Sequence, residues 1–428
     1  MHMKKIIKKI ALLLIVFCIG VGVTLLYTNN KYGVYEKEET KQIKKHVDTI
    51  SMMLETEAKS GNYERTTRES WPTEGYVFNT TLSKCENGGE LLWDDEKKVV
   101  LMSGNVSDKC YVYFDVYVPP RFDEICDETT LACHVAKLYT GTQGENSIYY
   151  HDSSLTNGAG DSSYRYSGAN PNNYVCFGSN ESTCPIDNLY RIIGVFENNV
   201  KLIKYDYATS ALLGTDGEYQ GTGTPNSSYY KGSLTTINTY YWNNSTKKNT
   251  WSESLLNKTN LNTNFINNIG TEWANKIATT TWKVGGNTYA NIRDVIPATA
   301  YQNEIANPVT TNTTDNATEY SAKIGLMYVS DYGFGADPSA WTTTLYNYDG
   351  SVNGSTIRSL NWMHMGYYDW TISRRADDSN GAFHVYNDGG VSNSNVRNGN
   401  ALRPSFNLES SITYVSGSGS ASDPMVIN

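Results

Sequence analysis

From Pro185 to Asn428 the sequence contains no cysteine, and the whole chain of 428 residues has only six histidines. Neither C-x-x-C nor H-E-x-x-H occurs, so the paired thiolates of a zinc site and the two-histidine face of a zinc hydrolase are both missing. No metal and no cofactor is therefore expected. Basic charge is also in deficit: 35 Lys and Arg stand against 44 acids, a formal net charge of −9. That balance excludes the basic footprint by which proteins hold a phosphate backbone, and nucleic acid is not an expected partner. Charged residues amount to only 18%, while the chain carries 33 Tyr and 35 Gly. Such a mixture is too aromatic and too weakly charged for a disordered polymer; it describes a folded protein with many loops.

Lys4, Lys5, Lys8 and Lys9 precede a run from Ile10 to Tyr27 that has no charge at all. At helical rise these residues cover about 27 Å, close to the hydrocarbon core of a bilayer. The run ends Val23, Thr24, Leu25, Leu26, Tyr27 without the small residues of a cleavage site, so residues 1–30 are expected to form a cytoplasmic lysine cluster and an N-terminal transmembrane helix. The membrane is then a partner through residues 10–27, and the expected location is the cell membrane, single-pass, with the C-terminal portion extracellular. Ile43, Val47, Ile50 and Leu54 follow at spacings of four, three and four, which predicts a helical stalk over residues 31–66.

Cys18 lies inside the apolar run and reads as a buried thiol. The other six cysteines, at 85, 110, 126, 133, 176 and 184, permit three disulfides in an oxidising compartment. Pairing of sequence neighbours is the simplest of fifteen connectivities. Residues 67–120 read as a small all-β module, with strand-like segments at 75–78, 90–93, 98–102 and 110–118. The stretches Trp71 to Phe78, Lys84 to Gly88 and Asp108 to Asp115 resemble an uncharacterised module of anchored surface proteins in Gram-positive gut bacteria. Residues 121–188, rich in Gly, Ser, Asn and Tyr, form a loop-rich cysteine-containing connection, part of which should pack on a neighbouring domain.

At Leu189 the pattern changes to a β-hairpin, 189–196 and 200–205 about a turn at Glu197 to Asn199. Leu256, Leu261, Phe265, Ile266, Ile269, Trp273 and Ile277 then recur at largely helical spacing, with Ser252 as a cap candidate. Strand-like segments return at 323–329, 370–373, 382–386, 401–408, 412–415 and 425–427. Strands, then helices, then strands predict an α+β domain over 189–428. Trp251, Trp273 and Trp370 are expected in its core, and Arg403-Pro404 as an internal anchor at a strand end.

The series Tyr190 to Val195, Trp251-x-x-Ser254-x-Leu256, Leu261, Phe265, Tyr328-Val-Ser330, Trp370-x-x-Ser-Arg374, Gly389-Gly-Val391 and Leu402-Arg-Pro-Ser-Phe406 resembles the bacterial surface domains of the C-type-lectin and formylglycine-generating-enzyme fold. The resemblance implies that the first and last strands pair, 191–196 beside 425–427. It does not carry over the oxidase chemistry, which needs cysteines, nor a calcium-dependent lectin site, because Asn170-Pro171-Asn172 and Trp242-Asn243-Asn244 fall short of the carboxylates such a site requires. Asp377 and Asp378 could be drafted as an acid and base pair, but nothing in the sequence puts them in a cleft.

Between Ala376 and Asn400 the apolar positions Ala382, Phe383, Val385, Val391 and Val396 alternate with Asp, Ser, Asn, Gly, His, Tyr and Arg, each reachable from an Asn codon by changes at adenines alone. This resembles the variable region of proteins diversified by retroelements. The predicted binding face is Tyr367, Tyr368, Asp369, Asp377, Asp378, His384, Tyr386, Asn387, Asp388, Asn393, Asn395, Arg397 and Asn398. Tyr supplies area and Asn and Ser supply adaptable hydrogen bonds. The expected function is non-enzymatic adhesion or reception of an extracellular protein or glycan. A surface enzyme acting on glycans would instead need two carboxylates facing across a groove, and a surface-layer or filament subunit would show an exposed apolar patch or an open strand edge.

Overall fold

Cys110 to Val116 alternates buried and half-buried residues along its length, the period-two pattern of a strand with one face on a core. In the computed structural model, which describes residues 50–103, 108–309 and 318–428, this segment organises the first of two compact units, residues 1–120 and 121–428. The first unit contains β1 (Ile50–Glu55), β2 (Tyr63–Arg65), β3 (Tyr76–Phe78), β4 (Lys84–Cys85), β5 (Glu90–Asp94), β6 (Val99–Ser103) and β7 (Cys110–Val116). Its main sheet runs β2-β1-β7-β3, with β4 also on β7, and β5 and β6 form a separate hairpin. Met52, Val112 and Phe114 are its sealed core, surrounded by Trp71, Phe78 and Trp93.

β1 overturns part of the stalk. Ile50 and Leu54, read as helical positions, lie in a strand that runs parallel to β7, with Ile50 opposite Cys110 and Leu54 opposite Phe114. Pairing with a long apolar strand outweighs the local helical spacing. Residues 1–49 are outside the described residues. Among the described residues no helix is long and apolar enough to cross a membrane, and the expected single-pass membrane location is set aside.

The second unit contains β8 (Ile148–His151), β9 (Ser163–Tyr166), β10 (Tyr174–Cys176), β11 (Leu189–Phe196), β12 (Asn199–Lys204), β13 (Tyr219–Gly223), β14 (Ile237–Tyr241), β15 (Thr280–Lys283), β16 (Glu319–Ala322), β17 (Ile324–Leu326), β18 (Ser351–Val352), β19 (Ser355–Thr356), β20 (Asp369–Arg374), β21 (Gly381–Val385), β22 (Val391–Asn395), β23 (Gly399–Asn400), β24 (Pro404–Asn407), β25 (Tyr414–Ser416) and β26 (Val426–Ile427). A seven-stranded sheet runs β17-β24-β12-β11-β9-β8, with β10 sharing the edge of β11. Residues 121–188, expected as a connection, thus contribute three strands to it. At Gly194 the strands approach so closely that a Cβ would lie 2.2 Å from Tyr164 O; only glycine fits.

The expected α+β, lectin-like architecture is not what forms. The described residues are mostly sheet, 32% strand against 20% helix, in several small sheets. Among the described residues the longest helical stretch, Leu256–Phe265, is a π-helix that runs on into Ile266–Asn268. Its own asparagines explain the departure: Asn262 Nδ2 donates to Asn257 O at 3.0 Å, competing with the regular backbone ladder. Ser252 does not cap it; the residue before its first turn is Leu255, and Ser254 Oγ accepts from Asn257 N at 3.4 Å. Nor do the first and last strands of the predicted domain pair. β10 stands between them, bonded to β11 on one side, while Met425 N donates to Tyr174 O and Cys176 N to Met425 O, both at 2.9 Å, on the other.

Three disulfides join sequence neighbours, Cys85–Cys110, Cys126–Cys133 and Cys176–Cys184. The first closes the pairing of β4 on β7. Trp251, Trp273 and Trp370 are buried in the core of the second unit.

Candidate functional site

β20, β21 and β22 form an antiparallel three-stranded sheet in which Trp370 lies opposite His384 and His384 opposite Ser392, while Asp369, Val385 and Val391 make the neighbouring row. Alternation then sends Phe383, Val385 and Val391 to one face and Trp370, His384, Ser392 and Ser394 to the other. The first group is fully buried in the main core, and Ala382 and Val396 are sealed as well. A rigid apolar frame therefore carries the polar stretch.

On the other face His384 lies beneath a cluster of rings. Tyr368 stacks on the imidazole at 5.8 Å with planes 15° apart, Tyr386 stands 4.7 Å from it and Trp370 5.7 Å. Tyr368 and Tyr386 meet edge-on at 5.5 Å and stay half-buried, while His384 is left 4% exposed. Asn400 Nδ2 donates to His384 Nδ1 at 2.9 Å, so the neutral ring carries its proton on Nε2. Burial pushes the imidazole down to about 4. Tyr367 packs beside Tyr368 at 5.6 Å and exchanges two 3.0 Å hydrogen bonds between its backbone and the Tyr207 hydroxyl.

The rim is polar. Asn398, exposed, donates from Nδ2 to Ser394 Oγ at 2.9 Å. Asn395 Oδ1 accepts from the backbone N of exposed Arg397 at 3.0 Å and from its Nε at 3.2 Å. Asn393 is half-buried on β22. In the β21–β22 turn, Asn387 O accepts from His364 Nε2 at 3.0 Å, and Asp388 Oδ1 accepts from Gly390 N at 3.3 Å. At the far end Arg375 holds both acids, Asp377 at 2.7 Å and Asp378 at 3.4 Å, and Tyr289 N donates to Asp377 at 3.0 Å. The Arg375 hydrogen bond keeps the Asp377 carboxyl below its ordinary range, which suits a fixed anion and not a proton donor.

Two of the thirteen predicted contact residues belong to the frame instead. His384 is roofed by the tyrosines. Asp369 is 2% exposed and receives Arg403 Nε at 2.8 Å, while Arg403 Nη2 donates to Met363 O at 2.6 Å. Burial pushes Asp369 up to about 6, and the arginine opposes it. Arg403 is thus the internal anchor that its place before Pro404 suggested. Tyr368, just before β20, and Tyr386, just after β21, meet over His384, and Asn395, Arg397 and Asn398 lie at the turn that ends β22; Asn393, opposite Phe383, belongs to the other face, and Asp377 and Asp378 form a separate cluster with Arg375. Ser394 and Arg375 went unselected in the sequence. The first was legible as the position two beyond Ser392, the second as a cation two residues before the pair Asp377-Asp378.

Comparison with protein-family models, with curated proteins and with solved structures returns no match. The function is argued from the site's own geometry.

Proposed function

We propose that this chain binds a protein or glycan ligand, without acting on it chemically, through the tyrosine-capped face of the β20–β22 sheet. The observation that carries the reading is the pair Tyr368 and Tyr386, held over a sealed His384 and bordered by the polar turn that contains Asn395, Arg397 and Asn398. Rings so fixed offer contact area at small entropic cost, and the neighbouring Ser and Asn residues adapt their hydrogen bonds to the partner. Glycan and protein arrays probed with the wild-type chain and with Tyr368→Ala/Tyr386→Ala test this. A ligand retained by the wild type and weakened at least about tenfold by the double variant is expected; equal binding by both would refute it.

The adenine-reachable residues of this stretch support a further part of the reading, that its exposed positions are varied by a retroelement. Buried His384, Ser392 and Asn400 would lie outside the varied set. A near-copy of the codons for residues 376–404 differing only at adenines, beside a reverse-transcriptase gene, is the expected mark.

A second reading, assembly with further copies of the chain, is favoured by one observation in the first unit. Leu92 and Leu101 face each other across the β5–β6 hairpin yet are 64% and 46% exposed. Leu92→Lys/Leu101→Lys should abolish any concentration-dependent association in sedimentation velocity, and an unchanged profile would remove this reading.

A further inference from the structure

A cleft of about 470 Å³ opens elsewhere in the second unit, between β9, the β11–β12 turn, β15 and the segment around Tyr301. Its volume falls within the range of small-molecule sites. Arg165, Lys201 and Asp331 lie together at its base, their side chains 1%, 5% and 0% exposed. Asp331 Oδ2 takes Lys201 Nζ at 2.5 Å and Tyr328 N at 2.9 Å. Arg165 donates from Nε to Ser163 Oγ at 2.8 Å and from Nη2 to Asp161 Oδ2 at 2.5 Å. That leaves Arg165 Nη1 and Asp331 Oδ1, 3.5 Å apart, and neither has a hydrogen-bond partner among the described residues.

They face each other as a buried ion pair that makes no hydrogen bond, an uncommon arrangement and a costly one. A hydroxyl group matches it, accepting from Nη1 through a lone pair and donating its proton to Oδ1. An anion would satisfy the arginine and be repelled by the carboxylate. The cleft as a whole has no charge preference either, since Asp161, Glu197 and Asp331 balance Arg165, Lys201 and Lys283. Apolar wall comes from Phe196, Trp282, Tyr301 and Tyr328. Trp282 Nε1 is turned away to Ala322 O at 3.1 Å, and the Tyr328 hydroxyl accepts Lys283 N at 2.8 Å.

We propose that this cleft is a second binding site, independent of the tyrosine-capped face, for a neutral polyhydroxylated molecule of mono- or disaccharide size, with one hydroxyl bridging Arg165 and Asp331. The test is saturation-transfer NMR on the full chain with the methyl glycosides of glucose, galactose, mannose and N-acetylglucosamine, and with sucrose, maltose and lactose. At least one should bind. Arg165→Met should weaken it about 10- to 100-fold, the loss of a charge-assisted hydrogen bond. Should that buried change prevent folding, Thr281→Trp fills the cleft from the exposed face of β15 and should reduce binding by a similar factor, while leaving any array ligand of the tyrosine-capped face unaffected. The proposal is overturned if no saccharide binds at about 10 mM, a level that detects millimolar affinity. Saccharide binding that persists unchanged in Thr281→Trp, or that acetate or sulfate displaces more effectively than a second sugar, would overturn it equally.

Discussion

If His384 belongs to the frame and not to the contact face, its protonation must be expensive. Burial beneath Tyr368, Tyr386 and Trp370 lowers its pKa to about 4, against about 6.5 in an unfolded chain. The folded value is depressed, so the neutral ring's contribution is intact above pH 6.5 and is lost as the pH falls toward 4, where the unfolded state binds the proton more readily. Linkage puts the loss at about 2 kcal/mol between pH 7 and 5, and about 3 kcal/mol by pH 4. Other buried groups titrate in the same interval, so the informative quantity is a difference. His384→Gln retains a polar side chain toward Asn400 and cannot be protonated. Urea unfolding followed by tryptophan fluorescence, at pH 7 and pH 5, should show the wild type's advantage over this variant shrinking by about 2 kcal/mol. An advantage that stays constant across that interval would mean that His384 is solvated, and the assignment of frame and face would be wrong.

Glu304 should behave in the opposite sense: it is fully buried and burial pushes it up to about 7, so stability is lost as pH rises from about 4.5 through 7, and Glu304→Gln should gain on the wild type by about 2.5 kcal/mol between pH 5 and pH 8 in the same assay. Phe383→Ala removes a core ring and should cost about 3–5 kcal/mol in urea unfolding, whereas Asn398→Ala on the rim should change stability by less than about 0.5 kcal/mol. Arg403→Met strands the buried Asp369 carboxylate and should cost about 3–5 kcal/mol at pH 8. That penalty should shrink below pH 6, where Asp369 accepts a proton. Replacing Cys176 and Cys184 by serine opens a loop of separation 8 and should lower stability by about 2.5 kcal/mol on the chain-entropy relation.

Much of the strand content was readable because period two is a short-range signal. The β11–β12 hairpin, β7 and β21 fall within a residue or two of the segments marked by alternation. What failed was longer in range. Ile50 and Leu54 satisfy helical spacing and strand alternation together, and only the partner β7 decides between them. The pairing of β10 between β11 and Met425 lay in a Gly- and Asn-rich stretch whose residues show no periodicity. In Leu256 to Phe265 the apolar spacing is helical, but the asparagines at 257 and 262 bond locally and compete with the regular ladder. At the site, Phe383, Val385 and Val391 were legible as inward positions because they recur with the pleat. The burial of His384 was not, because it depends on two tyrosines, one of them sixteen residues away, closing over it. The cleft at Arg165, Lys201 and Asp331 draws its charges from positions spread over more than 160 residues, and no local pattern announces it.

The central claim is that Tyr368, Tyr386 and the polar residues Asn395, Arg397 and Asn398 make contact while the residues beneath them only support. Hydroxyl-radical footprinting of the chain, alone and with a ligand selected on the arrays, measures this directly. Tyr368 and Tyr386 should be oxidised in the free protein and protected on binding, with His384 and Phe383 unmodified in both states. Protection confined to other surfaces, with the two tyrosines oxidised equally in the free and bound chain, would contradict it.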